Sequence, residues 1–68
     1  MNTFEIKTVA EKIEAALQIE SNISISELIM KLTIRKEIVL IAIGYLLYEG
    51  RVYLSDNCQD VSYKQFYY

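Results

Sequence analysis

The sequence predicts an α+β fold, three helices followed by a β-hairpin, in a single domain over residues 1–68. Three observations carry that expectation. Apolar residues recur at three- and four-residue spacing in three separate stretches, as they do in helices buried on one side. A strand-forming alternation, Arg51-Val52-Tyr53-Leu54-Ser55, starts directly after Gly50. The chain has no proline, so only its two glycines and a few clusters of turn residues punctuate it.

The first helix is marked by Ile6, Val9, Ala10, Ile13, Ala16 and Leu17, which share one face. Glu5, Lys7, Glu11, Lys12, Glu14 and Gln18 lie mostly on the other side. Thr3 has the chemistry of an N-cap, and Glu5 stands in the first turn, where the helix dipole favours an anion. Glu20-Ser21-Asn22 breaks the pattern. Ile23 and Ile25 then alternate with Asn22, Ser24 and Ser26, which allows a very short strand between helices 1 and 2. Ser24-Ile25-Ser26-Glu27 also reads as a capping box that opens a second helix of about two turns. Its buried stripe is Ile25, Leu28, Ile29 and Leu32.

Thr33-Ile34-Arg35 is a tight connection. A third helix runs from about Lys36 to Glu49 and stops at Gly50, since glycine readily takes the left-handed conformation that ends helices. Val39, Ala42, Ile43 and Leu46 form its inner stripe, with Ile34 and Ile38 closing the turn. Ser55-Asp56-Asn57 carries turn residues, and Asp60 to Phe66 returns antiparallel. Val52, Leu54, Val61 and Tyr63 are the inward positions of this hairpin.

Helix, short strand, helix, tight turn, helix, hairpin is the order of a winged helix-turn-helix, the hairpin being the wing. Leu28-x-x-x-Leu32-Thr33-Ile34, followed by Val39-x-x-Ala42-Ile43-x-x-Leu46-x-x-x-Gly50-Arg51-Val52, resembles the winged-helix signature over about residues 25 to 54. The narrower segment Ala42-Ile43-Gly44-Tyr45-Leu46-Leu47-Tyr48-Glu49-Gly50-Arg51-Val52 is similar to a family of small, stand-alone bacterial winged helix-turn-helix domains of unassigned function. The resemblance implies that fold and a bacterial cytosolic setting. It implies no ligand and no functional residues.

Composition narrows the function. A chain of 68 residues buries only ~60% of the surface its unfolded form exposes. Domains this small often lean on disulfides, metals or self-association. Cys58 is the single cysteine and there is no histidine, so neither an internal disulfide nor a Cys/His zinc site is available. Self-association is the device left, and an apolar content of 53% points the same way.

No catalytic residue, cofactor or metal ion is expected. Cys58 sits in a turn without a histidine base, which leaves it an incidental thiol. Glu5, Glu11 and Glu14 belong to a solvated helix face, and Asp56 and Asp60 to a turn, without the cleft that acid-base catalysis needs. Gly44 and Gly50 are too few for a phosphate-binding loop. The longest apolar stretch, Ile38 to Tyr48, falls short of the roughly 18 residues of a membrane span. The first residues lack a basic segment followed by an apolar core, and with the lone cysteine this fits the cytoplasm.

The third helix separates two remaining functions. In DNA-binding winged helices it enters the major groove, and polar side chains on its outer face read base edges. Here Arg35, Lys36, Glu37, Leu40, Ile41, Gly44, Tyr45, Leu47 and Tyr48 lie away from the inner stripe, and only the first two are basic. Arg35, Lys36, Arg51 and Lys64 are the candidate nucleic-acid contacts, fewer than the roughly 6–10 phosphates engaged by strongly salt-sensitive binders. Seven basic against nine acidic residues, and Asp56 and Asp60 at the wing tip, also disfavour DNA. The six tyrosines include residues able to stack single-stranded bases, but no basic groove accompanies them.

Leu40, Ile41, Gly44, Tyr45, Leu47 and Tyr48 suit protein instead. Gly44 permits close approach, and the two tyrosines are anchor-type side chains. A second copy around a two-fold axis is the simplest partner, another protein the next. A self-covered helix is the other reading, with the first helix, the hairpin and Phe66, Tyr67 and Tyr68 wrapping it. The expected function is therefore a non-enzymatic interaction module, with a small DNA-binding transcriptional regulator as the alternative.

Overall fold

The structure, a computed structural model, describes residues 3–64. In chain order it comprises α1 (Thr3–Ile19), β1 (Asn22–Ser24), α2 (Ile25–Leu32), α3 (Lys36–Tyr48), β2 (Val52–Leu54) and β3 (Asp60–Tyr63). The architecture is α+β: three helices and one antiparallel sheet of three strands in the order β1-β3-β2. The short strand after α1 thus pairs with the second arm of the hairpin, making β3 the central strand. Phe66, Tyr67 and Tyr68 lie outside the described residues.

Strand register follows from the side chains that must be hidden. Ile23 and Leu54 both stand opposite Val61, forming a row across the inner face. Ile23 and Val61 are sealed from solvent and Leu54 is partly so. A one-residue slip would turn Val61 outward, so burial of this row locks the pairing. On the next register position Asn22 Nδ2 donates to Ser62 Oγ at 2.6 Å.

The core joins α1 to α3. Val9, Ala10, Ile13 and Leu17 of α1 meet Val39, Ala42, Ile43 and Leu46 of α3, while Leu28, Ile23, Val52 and Val61 close the remaining side. The inner stripes expected for α1 and α3 are buried, apart from Ile6 and Ala16, which are half-buried. In α2 only Leu28 is fully buried; Ile25, Ile29 and Leu32 pack around it at the edge.

Each helix end has a local cause. The Glu27 amide donates to Ser24 Oγ at 3.0 Å, which caps α2 as the Ser-x-x-Glu pattern requires. α3 closes in a Schellman motif: Gly50 N donates to the Leu47 carbonyl and Arg51 N to the Leu46 carbonyl, both at 3.0 Å, with Gly50 at φ +74°. Thr3 differs from its reading as an N-cap, because α1 already includes it as a helical residue. Lys31 Nζ meets Glu20 Oε2 at 2.7 Å, tying α2 to the end of α1. That hydrogen bond holds the lysine pKa above its usual 10.5, so the pair acts fully below that pH and fades as pH climbs past it.

Two turns use left-handed residues that the sequence does not advertise. Thr33 ends α2 at φ 55° and ψ 43°, with its amide on the Ile29 carbonyl at 3.0 Å. The hairpin tip places Cys58 at φ 59°. Side chains compensate at the tip: Ser55 Oγ accepts from the Asp60 amide at 3.0 Å and donates to Asn57 Oδ1 at 2.6 Å. Asn57 Oδ1 also accepts from the Gln59 amide at 3.1 Å. The turn chemistry read in Ser55-Asp56-Asn57 is therefore carried by the first and third of those residues.

A β-branched residue in the left-handed region is strained by roughly 1–2 kcal/mol. Thr33 is exposed, so replacing it removes no core contact. Thr33→Asn is expected to raise stability by about 1 kcal/mol, and Gly50→Ala to lower it by about 1 kcal/mol, in urea unfolding at one fixed protein concentration. A lowered midpoint for Thr33→Asn would show that this turn is relaxed.

Candidate functional site

One side of α3 is committed to the core, and its other side is partly exposed, with Leu40 lining a groove beside Ser24, Ile25 and Gln59. Helical periodicity sets Leu40, Ile41, Gly44, Leu47 and Tyr48 around a single stripe, each within three or four residues of Gly44. All five are exposed. The four side chains among them keep 42%, 43%, 38% and 86% of their accessible surface, respectively. Phe4, Ile19, Met30 and Tyr53 are also large and exposed, but they belong to other elements and do not share this stripe. Scattered apolar residues are ordinary on a protein surface; a contiguous set is what marks an interaction face.

Gly44 sits at the centre of the stripe. A β-carbon built on it meets nothing within 4 Å. Its backbone is not in the left-handed region. Among the described residues neither packing nor conformation calls for a glycine here, although glycine inside a helix costs about 1 kcal/mol relative to alanine. The result is an open notch, walled by Leu40 and Leu47 on one side and Ile41 and Tyr48 on the other.

Tyr45 departs from the expected patch. It is half-buried and packed against the core, in a groove of about 260 Å³ between α1 and the end of α3. Lys7, Ala10, Glu11, Glu14 and Glu49 line that groove with it. The physical reason is lateral: α1 lies along one flank of α3 and covers the ring that the inner stripe alone would leave outside. The uncovered set therefore contracts to Leu40, Ile41, Gly44, Leu47 and Tyr48.

The four candidate nucleic-acid residues are spread over separate parts of the fold. Arg51 Nη1 donates to Glu14 Oε2 at 2.8 Å. This hydrogen bond, reinforced by the carboxylate charge, holds the guanidinium pKa above its usual value. Glu14 was expected on a solvated face, yet its side chain is only 15% exposed. Nothing in the helical pattern signals that pairing, because Arg51 approaches from 37 residues away. The Lys64 ammonium lies 5.5 Å from the centre of the Tyr53 ring, within cation–π range. Arg35 Nε lies 4.0 Å from Glu37 Oε1, both well exposed. Lys36 is exposed beside Ser24, Leu40 and Asp60.

Cys58 is an exposed free thiol. Among the described residues no group of three histidine, cysteine, aspartate or glutamate side chains converges as a metal site would require, and no helix is long and apolar enough to cross a membrane. The arrangement offers apolar contact at one helix face and little chemistry elsewhere.

Fold and surface together define a small α+β domain whose described residues leave an apolar face of α3 exposed. No protein-family model, curated protein or solved structure matches the chain.

The Arg51–Glu14 pair gives a test of this placement. Glu14→Gln is expected to lower the urea midpoint slightly at low salt, with the difference shrinking at about 1 M salt as the ion pair is screened. A salt-independent effect would point to packing rather than charge.

Proposed function

We propose that this protein is a non-enzymatic winged-helix interaction module that associates with its own copy through α3. The observation that carries the reading is the unbroken apolar stripe of Leu40, Ile41, Gly44, Leu47 and Tyr48 on the helix that the core leaves half uncovered. The winged-helix assignment rests on element order and on β1 pairing with the hairpin, together with the resemblance of residues 25 to 54 to that fold's signature. The cytoplasmic bacterial setting goes with that resemblance and with the lone cysteine.

The side chains favour protein over DNA as the partner. A helix that reads base edges presents hydrogen-bonding groups, whereas the middle of this face is aliphatic. Three of the four candidate cations, Arg35, Arg51 and Lys64, already have intramolecular partners. Arg35 and Lys36 stand exposed at the entrance to α3, which keeps a small DNA-binding regulator as the alternative role.

Sedimentation velocity from about 10 µM to 1 mM separates the two. The self-associating reading expects a concentration-dependent dimer, with Ile41→Glu raising the dissociation constant at least tenfold while the far-UV spectrum is unchanged. A monomer throughout the range would overturn it. The DNA alternative expects duplex binding at low salt that is lost in the Arg35→Ala, Lys36→Ala double variant.

A further inference from the structure

We draw no further inference here: the strongest candidate, the exposed apolar face of α3 formed by Leu40, Ile41, Gly44, Leu47 and Tyr48, carries nothing beyond the proposed self-association because nothing in the structure shows what covers it.

Discussion

The seam between α1 and α3 sets what every other element can do. Ile13 and Leu17 on one helix and Val39, Ala42 and Leu46 on the other are almost wholly buried, so neither helix can rotate without opening the core. Once α3 is fixed in this way, the flanking elements decide its remaining contacts. α1 covers one flank and takes in Tyr45. Leu28 and the sheet residues Ile23, Val52 and Val61 close the core. Among the described residues no element covers the outer face of α3, and its apolar side chains are partly exposed.

The sheet is subordinate to that seam. Its strands are three or four residues long, short enough that an isolated hairpin of this size would be marginal in water. It persists because Val61, the middle of the central strand, is fully buried and pins the register. The Schellman closure at Gly50 delivers Arg51 and Val52 directly into β2, and Arg51 then reaches back to Glu14. One helix terminus thus sets the direction of the hairpin and anchors it to α1. The tip needs no glycine because Ser55 and Asn57 supply oxygens to the amides that a left-handed Cys58 would otherwise leave without partners.

Much of this is legible in residue order because the responsible interactions are local or periodic. The Ser24–Glu27 cap, the Gly50 stop and the inner stripes of α1 and α3 depend on residues within a turn or two of each other. The features that escape are those made by distant or lateral contacts. Glu14 reads as solvated because a helical pattern contains no information about Arg51. Tyr45 reads as exposed because periodicity separates the core side of α3 from its opposite but not from the flank beside α1. Thr33 carries no sign of a left-handed turn, since glycine or asparagine would be the usual choice. Among the described residues the exposed side of α3 is narrower than periodicity implies, because Tyr45 packs beside α1.

Gly44 is where local rules and the wider surface disagree. A helix interior disfavours glycine, and the described residues give no compensating contact. Such inconsistencies concentrate where a sequence answers to something other than its own folding. On the proposed reading that demand is a second copy of α3, and the weakening of the helix is offset only in the associated form. Stability and association are then linked: a domain with one small core and a single cysteine gains stability by mass action as its concentration rises. The same helix cannot face its own copy and lie in a DNA groove at once. If Arg35 and Lys36 do meet a phosphate backbone, duplex and dimer must compete for α3, so dimerisation would act as a brake on that alternative role rather than a route to it.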